Sequence, residues 1–190
     1  MRVSGLLICD YLWVAFYVLW MVWALRTKQV QSKESIKSRI FHRIPTIAAF
    51  CLIFLRFPQG WWIQNEVIPD NSWIEVLGVV LAIAGIAFAI WARAYLGGNW
   101  SSSVTVKVEH QLIQSGPYRW VRHPIYTGLL IALLGTAMEL REIRGLLAVP
   151  VLYVGLKIKS MIEERTMMNT FGPQYEEYSR HTGAIVPKLI

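Results

Sequence analysis

The sequence predicts an all-α integral membrane protein with about five transmembrane helices, the last two paired as a helical hairpin. Three observations carry this. Of 190 residues, 55% are hydrophobic and 16% charged, whereas soluble domains average roughly 45–50% and about 25%. Several apolar runs reach or approach the roughly 20 residues that cross ~30 Å of hydrocarbon at ~1.5 Å per residue. The basic residues, finally, sort into alternate connections, as membrane topology requires.

The first run, 5–25, is interrupted by one acid, Asp10. It is too long for a signal-peptide core and ends in Arg26 and Lys28 without a small-residue cleavage site, so it reads as a retained span. The second run, 44–64, contains Arg56 and Pro58. The third, 73–96, is rich in small residues (LAIAGIAFAI) that let helices approach closely. Two shorter runs, 125–140 and 145–158, are separated by the brief charged segment ELREIR. They read as antiparallel spans, with a re-entrant hairpin as the alternative.

Segment 26–43 carries six basic residues against Glu34 and is expected to be cytoplasmic, whereas 65–75 carries only Glu66, Asp70 and Glu75 and is expected outside. Connection 93–123 is again basic. Five spans with the N-terminus outside satisfy all three, and the chain from Ser160 onward then lies in the cytoplasm. In this topology Asp10 and Arg56 sit at similar depths. They pair with each other, or Arg56 snorkels while Asp10 rests near the headgroups.

Other classes are excluded. The net charge of +7 follows the loops and needs no nucleic acid. Cys9 and Cys51 both lie in apolar runs, so no disulfide scaffold is expected. No CxxC or HExxH spacing offers a metal site.

The chain divides into a three-span membrane region, 1–95, and a second region, 96–190, where polar groups concentrate. VTVKV (104–108) alternates and is expected to form a short strand. Pro124 suits a first helical turn, which puts Arg122 and His123 at a helix N-terminus at the membrane surface. That end presents free N–H groups to an anion. Lys159 and Glu163 are four apart on the helix leaving the last span and share one face. The hairpin brings these cations and anions to one mouth.

The run His110-Gln111-Leu112-Ile113-Gln-Ser-Gly-Pro-Tyr118, then Arg122-His123-Pro124-Ile125-Tyr126-Thr-Gly128, Glu163-Glu164 and Phe171-Gly172-x-x-Tyr175-x-x-Tyr178, resembles the isoprenylcysteine carboxyl methyltransferase family. The resemblance covers about residues 95–188. It implies a cytoplasmic pocket for S-adenosyl-L-methionine, lined by His110, Gln111, Leu112, Ile113 and Tyr118. It implies that His123, Pro124, Ile125 and Tyr126 contact the cofactor and that Glu163 binds it, at its ammonium group. The basic residue one turn before that acid falls on Lys159, where eukaryotic members carry Arg. It would orient the acceptor carboxylate, with Arg122 as the second candidate cation. Ala184 stands where a basic residue is expected.

The implied acceptor is a lipophilic small molecule or a prenylated chain end, reached from the bilayer. A carboxylate acceptor is already nucleophilic and needs only alignment. An amine acceptor, as in phospholipid N-methylation, needs a base as well, for which Tyr126, His123 and Glu164 are candidates. A membrane sterol-type reductase using NADPH shares part of the Arg-His-Pro pattern, but Glu163-Glu164 favours the methyl donor. A non-catalytic membrane partner would explain the spans but not the polar convergence. Gly97-Gly98 has no strand–turn–helix context, so a Rossmann site is absent from the reading.

Overall fold

The computed structural model describes residues 5–25, 36–97 and 112–188. His110, Gln111 and the strand expected at 104–108 lie outside the described residues. The described elements, in order, are α1 (Gly5–Ala24), α2 (Ile36–Phe54), a 3-10 turn (Trp62–Gln64), α3 (Ser72–Leu96), a second 3-10 turn (Gly116–Arg119), α4 (Pro124–Leu140), α5 (Ile143–Phe171) and α6 (Pro173–His181). The all-helical expectation holds. By length and composition, α1, α3 and α5 are each able to cross a membrane, and α4 is a shorter apolar helix.

Local chemistry explains most boundaries. The Asn71 side chain accepts from Trp73 N at 2.9 Å and caps α3, which stops at Gly97 (φ 50°). Pro124 opens α4. Only Arg141 and Glu142 separate α4 from α5, and Arg141 takes the left-handed conformation (φ 60°) that reverses the chain. α5 runs without a break through the expected last span and the polar segment behind it, until Gly172 (φ 51°) and Pro173 end it and begin α6.

The second helix differs from the expectation of 44–64. It begins at Ile36 and ends at Phe54, before Arg56 and Pro58. Pro58 disfavours the helical region at Phe57 and has no N–H to donate to the Phe54 carbonyl, so the helix does not continue through this segment. The vacated carbonyls are taken by Arg144 at the start of α5. Its Nη1 reaches Leu52 O at 3.0 Å, Ile53 O at 3.1 Å and Leu55 O at 2.8 Å, while Nε pairs with Glu142. Arg56 is consequently exposed on a loop, and no ion pair joins it to Asp10 among the described residues. Arg144→Met should destabilise the protein by about 2 kcal/mol, the scale of hydrogen bonds to a charged group, read as a lowered thermal midpoint in detergent.

The two most extensive helix contacts are α3 with α4 and α2 with α5. Small residues make the first possible: a Cβ on Gly128 would come within 2.5 Å of Gly85 O. Gly155 likewise admits α2, since a Cβ there would come within 2.7 Å of Thr46 Oγ1. α1 closes the bundle through Trp13, whose Nε1 donates to Thr136 Oγ1 at 2.9 Å while its ring meets Phe16, Phe50 and Phe54 edge-on. One core links Trp13 on α1 to Ile185 beyond α6.

Two arginines tie opposite ends. Arg144 joins α2 and α5, as above. Arg93 donates to Gly97 O at 2.7 Å and Trp23 O at 3.3 Å, joining the C-termini of α1 and α3, and lies over the Trp20 and Trp23 rings. The N-terminus of α4 and the polar half of α5 lie close together (the ion pairs below join them), and the tight hairpin makes this geometry unavoidable.

Candidate functional site

The site is built where the turn before α4 meets the C-terminal half of α5. Tyr126 lies in the first turn of α4, and its hydroxyl donates to Glu163 at 2.8 Å (Oε1) and 2.7 Å (Oε2). His123 stacks on the Tyr126 ring with centroids 5.2 Å apart and an interplanar angle of 2°. Its Nδ1 is 3.3 Å from Glu163 Oε2, and its Nε2 is 3.3 Å from Glu164 Oε1. Lys159 completes the ring of charges, with Nζ 3.8 Å from Glu163 Oε1 and 5.4 Å from the centre of the Tyr126 ring.

Arg122 lies on the other flank. Nε and Nη2 donate to Glu164 Oε1 at 3.0 and 2.7 Å, and Nη1 reaches Ser179 O and Thr182 O. The chain after α6 continues alongside. Arg122 N donates to Gly183 O and His123 N to Ala184 O, both at 2.9 Å, and the Thr127 hydroxyl donates to Ile185 O. Below this layer Tyr118 donates to Ala92 O at 3.3 Å, and Tyr178 donates to Tyr118 O at 2.6 Å.

The electrostatics follow from this packing. Burial alone would lower the His123 pKa, but hydrogen bonds and charge from Glu163 and Glu164 outweigh it and raise the value above the ordinary 6.5. Burial pushes the Tyr118, Tyr175 and Tyr178 phenols well above their ordinary 10, so all three remain neutral.

The structure therefore brings Arg122, His123, Tyr126, Lys159 and Glu163 together, as the hairpin reading expected. Pro124 and Ile125 are buried at the start of α4, and Tyr118 is buried beneath the turn. Leu112 and Ile113 are half-buried, with Ile113 against the core. A cleft of about 440 Å³ opens beside α6, lined in part by Gln114, Arg119, Gln174 and Tyr178. None of Arg122, His123 or Glu163 lines it.

Two contributors went unassigned in the sequence. Glu164 enters the sequence reading as part of the Glu163-Glu164 motif and as a candidate base, not as the partner that holds both Arg122 and His123. The carbonyls of residues 182–185 contribute through backbone alone, so the absence of a basic residue at Ala184 costs them nothing. No cluster of metal-ligating side chains occurs among the described residues.

The carboxylates, the imidazole and the ammonium form a charged cluster in which part of Glu163 stays accessible: its side chain is 21% exposed. That donor set suits a small cationic ligand at Glu163, which fits the sulfonium and ammonium character of S-adenosylmethionine.

Comparison with known proteins gives a consistent family. The profile of the isoprenylcysteine carboxyl methyltransferase family matches residues 77–169. The cobalt-zinc-cadmium resistance protein CzcN of Cupriavidus metallidurans is 29% identical over 157 residues, covering 78% of this chain and 65% of that protein. The protein-S-isoprenylcysteine O-methyltransferase of Saccharomyces cerevisiae is 31% identical over 115 residues, covering 59% of this chain and 48% of that protein. In fold, the chain is similar to a eukaryotic intramembrane Ras methyltransferase, isoprenylcysteine carboxyl methyltransferase, with a TM-score of 0.54 and 23% identity over 83% of this chain and 54% of the other. The chain thus spans about half to two thirds of the length of these relatives.

Proposed function

We propose, from the membership of residues 77–169 in the isoprenylcysteine carboxyl methyltransferase family, that this chain transfers a methyl group from S-adenosyl-L-methionine to a lipophilic acceptor at the membrane. The acceptor is the carboxylate of an isoprenylcysteine-like molecule. The observation that carries the reading is Glu163, a half-buried carboxylate with Tyr126, His123 and Lys159 all directed at it.

S-adenosyl-L-methionine supplies a methyl group on a positively charged sulfur, and the reaction demands chiefly that donor and acceptor be held in line. Glu163 would hold the donor through its ammonium group. Tyr126 and His123 fix the rotamer of Glu163 and so set where the donor lies. Tyr118, with Leu112, Ile113, Pro124 and Ile125, would supply the pocket walls, and His110 and Gln111 would continue them.

Lys159 orients the acceptor carboxylate. An ammonium makes one point contact where a guanidinium would make two, so it aligns the nucleophile without a bidentate grip. Arg122 was the second candidate for this role. Its donors already engage Glu164 and two backbone carbonyls, so its contribution is to hold α6 and Glu164 in place. Apolar helix walls exclude water, which favours a reaction in which opposite charges cancel. The donor enters from the cytoplasm and the acceptor from the bilayer.

Calorimetry in detergent with S-adenosylhomocysteine and, separately, NADPH tests the reading. Binding of the first alone is expected; binding of NADPH alone would overturn it. Incubation with labelled methyl donor and either prenylcysteine or lipid extract separates carboxyl from amine transfer. Lys159→Ala should lower kcat/KM for the acceptor by about tenfold or more while changing donor affinity less than about threefold, the loss of one charge-assisted contact. Equal losses in both would remove Lys159 from acceptor orientation.

A further inference from the structure

Glu163 and Glu164 are adjacent on α5, yet both carboxylates turn to the same imidazole. Their contacts use different ring nitrogens, each at 3.3 Å. A neutral imidazole carries one N–H and presents a lone pair at its other nitrogen. With His123 neutral, one of the two carboxylates would face that lone pair. Only the imidazolium donates to both.

We infer that His123 works as an imidazolium clamp: a positioning residue that holds Glu163 and Glu164 at once and keeps Glu163 turned toward the donor only while it carries its proton. This rests on the methyl-donor reading of the site.

The surroundings favour the charged form. From its own turn His123 has Arg122, which is itself bound to Glu164. From α4 comes Tyr126, stacked on the ring, and from α5 come Glu163, Glu164 and, behind Glu163, Lys159. Tyr175 on α6 lies near the Arg122–Glu164 pair, and the phenols of Tyr118 and Tyr178 stay neutral. The residues after α6 meet His123 through the Ala184 carbonyl, which is uncharged. Glu163 and Glu164 are the charged groups that meet the ring itself, while Arg122 and Lys159 each pair with one of those carboxylates. The raised His123 pKa agrees with that geometry.

The sign follows. A raised pKa means that the clamp is fully formed below about 6.5 and is lost as pH rises through the higher value it has in the folded protein. Donor affinity should fall in the same interval.

The test uses the full chain in detergent with 15N-labelled histidine. Nitrogen signals are followed from pH 6 to 9 and assigned with His123→Asn. In parallel, S-adenosylhomocysteine affinity is measured by calorimetry over the same range. The expected result is two protonated nitrogens near neutral pH and an affinity that falls about tenfold per pH unit above the His123 midpoint. Glu164→Gln keeps an acceptor for Arg122 but removes one charge from the clamp, and should move both midpoints down by about one pH unit. Glu163→Gln should move the nitrogen midpoint alike, which covers the case in which Glu164→Gln fails to fold.

A neutral ring near pH 7, or a nitrogen midpoint unmoved in both variants, overturns the clamp. So does wild-type affinity that stays flat from pH 6 to 9. Absence of S-adenosylhomocysteine binding at every pH instead overturns the proposed function, because the nitrogen signals need no donor.

Discussion

Glu163→Ala is expected to weaken S-adenosylhomocysteine binding about 100-fold or more, which corresponds to about 2.7 kcal/mol. The size follows from position. The carboxylate is the meeting point of Tyr126, His123 and Lys159. On the proposed reading, removing it deletes the anion that meets the ligand's ammonium group, and it leaves two like charges, His123 and Lys159, without their common counter-ion. Losing one partner of a partly buried charge cluster costs more than the pair itself contributes, because the remaining charges stay desolvated. Calorimetry in detergent gives the affinity. Asp70→Asn is the control: Asp70 is 64% exposed and pairs with Arg141 at the α4–α5 turn, the other end of the hairpin. Its effect on donor affinity should be negligible, and an equal loss there would show that Glu163 acts only through the stability of the bundle.

Gly128→Leu should have the largest structural effect. Gly128 faces Gly85 and Ala89 across the α3–α4 contact, and a Cβ there would lie 2.5 Å from Gly85 O and 2.8 Å from Ala89 N. Those neighbours are backbone and cannot rotate away. Helices held by close approach of small residues, with no hydrophobic driving force in lipid, depend on that approach. Overpacking a well-packed core typically costs about 1–3 kcal/mol, and a full leucine against helix backbone belongs at or above the top of that range. The expected outcome is a fall of several degrees in thermal midpoint and loss of monodisperse protein on size-exclusion chromatography. A variant as stable as the wild type would mean that α3 and α4 do not pack as described.

The residues show why some of this was legible in the sequence. α1, α3 and α4 were readable to within a residue or so because an apolar run bounded by charge, proline or glycine has few alternatives. α2 was displaced because its first two turns carry Lys37, Arg39 and Arg43, which look like loop, while 55–64 is apolar enough to look like span. What ends the helix is Pro58, together with an arginine ninety residues away, a long-range partner that local hydropathy does not register. The meeting of Arg122-His123 with Glu163 was legible because a short hairpin leaves its two outer ends nowhere else to be. The Asp10–Arg56 pair failed for the same reason that α2 shifted: once Arg56 leaves the helix, depth along the chain no longer predicts proximity. Glu164 was visible as a residue but not as a partner, since helical spacing alone does not say which of two neighbouring acids turns toward the turn before α4. The carbonyls of 182–185 have no side-chain signature at all.

The contact between residues 182–185 and the turn at 121–123 has a bearing on biogenesis. The ribosome polymerises α1 through α5 before it makes the stretch that braces Arg122 and His123. A chain that has been made only as far as Phe171 still lacks the carbonyls that fix the entrance to α4, so competence should arrive late, after the sequence of every apolar helix is complete.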